Sequence, residues 1–148
     1  MPVLMKFLHI LAAIVWVGGV SFMQLALRPA VAELLAPQQR LPLIARVLQR
    51  FFALVWISIA VLLLTGLLML LAVGMSHAPF GWHLMLGLGL LMFVIFGHLY
   101  FGPFSRLKQA VSAGDWPEGG RCVGQISALA TINLGLGVLA IAAVVFMV

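Results

Sequence analysis

The sequence contains four histidines, the side chains best suited to chemistry near neutral pH. His9, His83 and His98 lie within long apolar stretches, and His77 lies between two such stretches. An ionisable side chain in apolar surroundings is costly, so each of these residues is a candidate for a functional role. Neutral imidazole binds copper, zinc and iron, including the iron of haem. The histidines therefore predict a metal centre or a haem pocket.

Methionines accompany two of these histidines: Met5 lies four residues before His9, and Met85 lies two residues after His83. Thioether sulfur is a soft ligand that favours Cu(I). The mixed set predicts a copper site or one face of a haem pocket. The sequence has no HExxH motif and only one cysteine, so no local spacing defines the geometry of the site. Its three acidic residues lie outside the apolar stretches, which excludes a carboxylate pair within them.

Four helices must position these side chains. Of the 148 residues, 65% are hydrophobic and 7% are charged, whereas a soluble domain carries roughly 25% charged residues. Four apolar stretches each reach the roughly 20 residues that cross a bilayer as a helix. We predict one domain over 1–148, with helices at approximately 3–28, 43–74, 81–105 and 121–147. The expected fold is all-α, an integral membrane antiparallel four-helix bundle.

Turn and small residues suggest the helix ends and contacts. Arg28-Pro29 is expected to close the first helix, Pro37 and Pro42 to interrupt the following loop, and residues 114–120 to form a loop before the last helix. A row of small residues on the last helix predicts close packing within the bundle, or the seam of a homodimer. The row consists of Gly124, Ala128, Thr131 and Gly135.

The distribution of basic residues predicts the orientation in the membrane. Seven of the eight lysines and arginines flank the first and third connections, and only Lys6 lies on the other side. Loops rich in these residues stay in the cytoplasm. We therefore expect a bacterial inner-membrane protein with both termini in the periplasm. The basic residues form no stripe with interleaved aromatics, which argues against nucleic-acid binding.

This orientation gathers three histidines at the periplasmic face: His9 near the start of the first helix, His77 in the middle loop and His83 at the start of the third helix. His9 shares a predicted inward face with small and aromatic residues at spacings of three and four. These are Ala12, Ala13, Trp16, Gly19 and Met23. For His77, the alternative is an interfacial residue that contacts headgroups or water.

His98 lies about 22 Å from His83 along the helix, in the cytoplasmic half. It cannot share a mononuclear site with His83. We expect it to mark a second metal-binding position near the level of Met23. The alternative is a structural hydrogen bond to a neighbouring helix, with Gln24, Gln125 or Asn133 as neighbours.

Several segments resemble the CopD (copper resistance protein D) family of small membrane proteins. They are Lys6-Phe7-Leu8-His9, Trp16-Val17-Gly18-Gly19, Leu27-Arg28-Pro29-Ala30, His83-Leu84-Met85, His98-Leu99-Tyr100 and Asn133-Leu134-Gly135-Leu136-Gly137. The resemblance implies an inner-membrane protein of copper handling, uptake or tolerance. By position it points to His9, His83 and His98 as the key intramembrane residues.

A more distant resemblance is to the HemJ-type haem-binding membrane proteins, carried by His9, Trp82 and His98. That family has a lysine near the start of the third helix, where this sequence has Leu84, Met85 and Leu86. The HemJ-type resemblance would otherwise imply protoporphyrinogen oxidase activity. The missing lysine argues against that activity and leaves b-type haem binding open.

Three interpretations follow. In the first, the protein binds copper through His9 and His83, assisted by Met5, Met85 or His77, and receives it from a periplasmic metal donor. In the second, haem b bound among His9, His83, His98, Trp16 and Trp82 transfers electrons, with quinone as a partner. The third is a scaffold without a cofactor. Only the haem protein is expected to be an enzyme, a haem-dependent oxidoreductase.

Overall fold

The computed structural model describes residues 2–147, which form four long helices. They are α1 (Pro2–Leu34), α2 (Pro37–Val73), α3 (Phe80–Ala113) and α4 (Trp116–Phe146). Each helix is long and apolar enough to cross a membrane, and residues 2–147 contain no strand. The predicted all-α membrane bundle is confirmed.

Two helices continue through prolines, and one of these, Pro29, we expected to end its helix. α1 runs past Pro29 to Leu34, and α3 runs past Pro103 to Ala113. A proline removes a backbone donor and its ring meets the carbonyl of the preceding turn. Here a wider π turn lies at each position, Met23–Leu27 before Pro29 and Tyr100–Phe104 around Pro103. The expectation that Arg28-Pro29 closes the first helix was wrong because the wider turn accommodates the ring.

The starts of α2 and α4 also differ from expectation. α2 begins at Pro37, where a proline at the first helical position loses no hydrogen bond, and it continues through Pro42. α4 begins at Trp116 because the Asp115 side chain caps it and accepts a hydrogen bond from the Glu118 backbone N–H at 3.3 Å. The segments predicted as loops around Pro42 and Gly120 are therefore helical.

Contacts between neighbouring helices pair early residues of one helix with late residues of the next. The pairs are His9 with Gly66, Gly19 with Phe51, Gly81 with Ala143, and Gly119 with Leu107. Such reversed order is the contact pattern of helices that run in opposite directions. It brings the start of α1, the α2–α3 connection and the start of α3 to one end of the bundle, here called the histidine end after His9, His77 and His83. The opposite end, with Arg28, Arg40, Arg106 and Arg121, is called the arginine end.

Packing is uneven between these two ends. The least exposed side chains, among them Leu41, Phe104, Leu107 and Cys122, lie toward the arginine end. At the histidine end, Ala12 is the one buried residue of Pro2–Ala13. That segment packs mainly on α2, while the start of α3 packs on α4. The bundle therefore shares one core from the level of Trp16 to the arginine end, and beyond Trp16 it divides into two helix pairs, α1/α2 and α3/α4, toward the histidine end.

The small-residue row of α4 lies on the outside of the bundle. Gly124, Ala128, Thr131 and Gly135 are all exposed. On the inward face, the Asn133 amide donates a hydrogen bond to the Met92 carbonyl at 3.2 Å. The other buried residues of this face are mostly small: Gly119, Cys122, Val123, Ile126, Gly137, Ala140 and Ala143. The expectation that the whole row packs within the bundle was wrong, since its members are exposed and α4 packs through a different set of small residues. The Thr131 hydroxyl nevertheless accepts a hydrogen bond from Gln24 of α1 at 2.8 Å.

Candidate metal centre at the histidine end

His9 lies on the inward face of α1 predicted from the sequence. Ala12, Trp16 and Met23 on this face are buried, and His9 is itself half-buried. The periodicity of the buried residues positions the imidazole against α2 rather than toward lipid. His9 is thus held between two helices at the histidine end.

A hydrogen bond to Thr65 of α2 defines the protonation of this imidazole. The His9 Nδ1 lies 2.8 Å from the Thr65 Oγ1. The single hydroxyl proton of Thr65 is donated to the Val61 carbonyl at 2.6 Å, so its oxygen must accept from His9. Nδ1 therefore carries the proton of the neutral ring, and Nε2 keeps a free lone pair. Metal-binding histidines commonly have this arrangement, with the second nitrogen donating to a protein oxygen.

Gly66 leaves room for the same ring. A Cβ atom at this position would lie 3.3 Å from the His9 Cε1, closer than ordinary van der Waals contact. The glycine and the preceding threonine together form the surface of α2 that receives His9. The sequence singled out the histidine as a candidate, whereas it gave no signal for Thr65 and Gly66.

His83 has the same tautomer in the other helix pair. Its Nδ1 lies 3.3 Å from the Pro79 carbonyl oxygen, a long hydrogen bond within the first turn of α3. A carbonyl only accepts, so Nδ1 donates and Nε2 is again free. The side chain is half-buried. Each helix pair therefore presents one imidazole with a free Nε2 at the histidine end.

Of the two methionines predicted to assist these histidines, one shares a helix face with its histidine and the other does not. Met5 is half-buried and lies one helical turn before His9 on the same face. Met85 is also half-buried, but two residues from His83 it lies on nearly the opposite side of α3. The same helical spacing identifies Met69, half-buried and one turn after Thr65 on α2. Because α1 and α2 run in opposite directions, Met5 and Met69 lie at the same level, one turn beyond the His9–Thr65 pair.

The other two histidines do not join this group. His77 is exposed in the α2–α3 connection, where its Nδ1 lies 3.2 Å from the Ser76 Oγ. His98 is exposed on α3, and its imidazole forms no hydrogen bond within residues 2–147. Met23, expected near its level, is buried in the core, whereas His98 faces outward.

The polar residues expected beside His98 have other partners. Gln24 donates to the Ser127 hydroxyl and to the Thr131 hydroxyl of α4, at 3.0 and 2.8 Å. The Gln125 side chain accepts from Arg106 at 3.1 Å. Asn133 bonds to the Met92 carbonyl. The expected hydrogen bond of His98 to these residues was therefore wrong.

Aromatic side chains fill the interior between the levels of His9 and His98. The buried Trp16 ring stacks on Phe93 with centroids 5.7 Å apart and packs edge-on against Phe96 at 6.2 Å. Phe96 in turn packs against Phe52 at 5.2 Å. Trp82 lies half-buried in the first turn of α3, apart from this cluster. With the interior occupied by these rings, the geometry gives the haem interpretation no support.

The ligand types at this end favour a soft metal ion. Within residues 2–147 there is no group of three or more histidine, cysteine, aspartate or glutamate side chains able to hold a metal. A metal bound here would combine imidazole nitrogen with thioether sulfur. Cu(I) accepts this ligand set, whereas magnesium and calcium require oxygen ligands.

The comparisons with known proteins give one match. The model of the family described as Copper resistance protein D matches residues 45–147, which include most of α2 and all of the described α3 and α4. His83, Thr65 and Met69 lie within the matched segment, and His9 and Met5 precede it. No curated protein and no solved structure matches the chain significantly.

Proposed function

Because this chain belongs to the Copper resistance protein D family, we propose that it binds copper at its histidine end. The carrying observation is the 2.8 Å hydrogen bond between His9 and Thr65, which leaves the His9 Nε2 free as a ligand. With Nδ1 protonated and held by Thr65, the half-buried His9 imidazole can offer Nε2 to a metal without losing this hydrogen bond. The family links the chain to copper, and this bond supplies a chemically competent ligand.

Met5 and Met69 complete the proposed copper-binding position at His9. Both thioethers lie one turn from the His9–Thr65 pair and toward the same end of the bundle. A ligand set of one imidazole and two thioethers suits Cu(I), which tolerates low coordination by soft ligands. His9 binds through Nε2, and Thr65 holds the ring orientation through Nδ1.

His83 supplies the second imidazole at this end, from the α3/α4 pair. Its bond to the Pro79 carbonyl leaves Nε2 free in the same way. The protein would then receive copper from a periplasmic metal donor and hold it between its two helix pairs. Binding requires neutral imidazole, so protons compete with the metal and acidification releases it.

The proposed location is the bacterial inner membrane, with the histidine end facing the periplasm. Seven of eight lysines and arginines lie toward the arginine end, and basic loops remain cytoplasmic. Copper that enters from the oxidising side would meet His9, His77 and His83 first.

Metal analysis of protein purified without oxygen and loaded with Cu(I) tests the proposal. Wild type is compared with His9→Ala, His83→Ala and the control His98→Ala, which removes an exposed histidine outside the site. We expect the first two variants to lose bound copper and the control to retain it. Met5→Leu and Met69→Leu are expected to weaken binding, with the core variant Met92→Leu as their control.

Equal copper content in wild type and His9→Ala would refute this assignment, provided that both elute as single species. Absorbance spectra of the same samples test the haem interpretation. A Soret band that His9→Ala abolishes would replace copper with haem as the ligand.

A further inference from the structure

An open cleft lies at the arginine end, between α1, α2 and α4. Its volume is about 340 Å³, and its lining includes Arg28, Arg40, Gln24, Ile44 and Val123. No histidine and no acidic residue lines it. The cleft therefore belongs to neither the copper site nor any cation site.

Two arginines give this cleft its charge. Arg28 and Arg40 are half-buried, whereas Arg46 and Arg50 on the same side of the bundle are exposed. Among residues 2–147, the one ion pair joins Arg121 and Glu118, so neither cleft arginine has a carboxylate partner. Two half-buried guanidinium groups without a counter-ion create a strong site for an anion. Their forked donors match the oxygens of a phosphate group.

Hydrogen bonds hold one side of the cleft in place. Arg28 donates to the Ser127 hydroxyl, and Gln24 donates to the Ser127 carbonyl at 2.8 Å. These bonds fix α1 against α4 and orient Arg28 along the wall of the cleft. The guanidinium retains further N–H donors for a ligand, because it carries five in total.

The cleft continues into an apolar cavity. A smaller space of about 40 Å³ shares Gln24, Arg28, Ile44 and Val123 with the cleft. Apart from Ser127, its other walls are apolar and include Leu48 and Ile126. The combined space has a cationic mouth and an apolar interior, which fits an amphipathic anion better than a small inorganic one.

The level of the cleft matches the position of lipid phosphates. Arg28 lies nineteen residues after His9, or about 28 Å along α1, and directly follows an apolar run. The hydrocarbon core is about 30 Å thick, so the cleft opens at the interface opposite the histidine end. Basic pockets between helices at this depth bind the head groups of anionic lipids.

We propose that this cleft binds the phosphate group of an anionic phospholipid. The phosphate oxygens accept hydrogen bonds from Arg28 and Arg40, and the beginning of an acyl chain contacts the apolar cavity. Free phosphate shares the charge but has no apolar part to occupy that cavity. This inference is independent of copper binding, since the two sites lie at opposite ends of the bundle.

Native mass spectrometry of the detergent-purified chain, titrated with phosphatidylglycerol, tests the site. The informative variant is Arg40→Gln, because the Arg40 side chain donates no hydrogen bond within residues 2–147. Arg46→Gln removes the same charge from an exposed position and serves as the matched control. We expect Arg40→Gln to weaken phosphatidylglycerol binding about fivefold and Arg46→Gln to leave it near wild type.

Arg28→Gln is expected to show at least the same loss, together with lower stability from the missing Ser127 bond. Equal weakening in Arg40→Gln and Arg46→Gln would overturn the proposal, because general charge attraction would explain it. Displacement of phosphatidylglycerol by inorganic phosphate at the same concentration would also overturn the lipid assignment in favour of a soluble phosphate compound. Phosphatidylcholine, added as a third arm, is expected to bind more weakly than phosphatidylglycerol.

Discussion

At the scale of single residues, His9 and Thr65 form the best-defined part of the proposed copper site. The hydroxyl of Thr65 donates a hydrogen bond to the Val61 carbonyl of its own helix and accepts one from His9. One small side chain therefore bonds within α2 and sets the tautomer of the imidazole on α1. His83 reaches the same state through a backbone carbonyl. The two imidazoles therefore have the same chemical form although their surroundings differ.

Replacement of Thr65 by valine should weaken copper binding while keeping the shape of the side chain. Valine cannot accept from the His9 Nδ1, so the ring loses its orientation and its preferred tautomer. Loss of such a supporting bond typically costs 10–100-fold in metal affinity. A Cu(I) competition titration with a chromophoric chelator measures it.

The control for Thr65→Val is Ser58→Ala, which removes another buried hydroxyl of α2. If both variants bind copper with the same affinity, the role given to the Thr65 hydroxyl is wrong.

The sequence was sufficient to make His9 and His83 candidates, because an ionisable imidazole in an apolar stretch is energetically costly. It was insufficient for Thr65 and Met69. Their relevance depends on how α1 and α2 are rotated and aligned, and many weak contacts decide that rotation. Met85 lies only two residues from His83 in the sequence, yet this spacing puts it on nearly the opposite side of α3.

At the scale of elements, the helices are longer and more continuous than the prolines and turn residues predicted. Local signals for helix ends compete with the gain from burying apolar faces, and a π turn reduces the cost of Pro29 and of Pro103. The apolar stretches predicted the existence of four helices correctly, because a bilayer demands that length. The ends depend on tertiary packing, which the local signals do not contain.

Gly81 is the closest contact between α3 and α4 at the histidine end. A Cβ atom there would overlap the Ala143 carbonyl oxygen. Because this is a backbone atom, the overlap can be relieved only if one helix moves away from the other. We expect Gly81→Ala to lower the free energy of unfolding by about 1–3 kcal/mol, the usual cost of overpacking. Thermal unfolding in detergent is the measurement.

Gly89→Ala provides the comparison for Gly81→Ala on the same helix, since a Cβ atom at Gly89 would meet nothing within 4 Å. Its alanine should be neutral or slightly stabilising. Identical melting of the two variants would contradict the proposed contact.

At the scale of the whole molecule, charge and packing are both concentrated at the arginine end. Seven of eight lysines and arginines lie toward this end, as do the most buried side chains. The helices exceed the thickness of the hydrocarbon core, so this end projects beyond it. Water is available there, and the hydrophobic effect can stabilise the shared core.

Cysteine labelling tests the predicted orientation. In a Cys122→Ala background, Ser76→Cys places a thiol in the exposed α2–α3 connection and Ser112→Cys places one near the exposed end of α3. A thiol reagent that cannot cross the inner membrane should label the first in intact cells and the second only after lysis. The opposite pattern would place the termini in the cytoplasm.

The shared core holds all four helices together, and beyond it the two helix pairs extend separately toward the histidine end. The core still joins α1 to α3 at Trp16, which lies about 10 Å from His9 along α1, so tilting one pair by about 10° beyond this level moves its imidazole by about 2 Å. That distance is comparable to the length of a metal–nitrogen bond. The distance between His9 and His83 is therefore among the dimensions of the protein that change most for a given tilt.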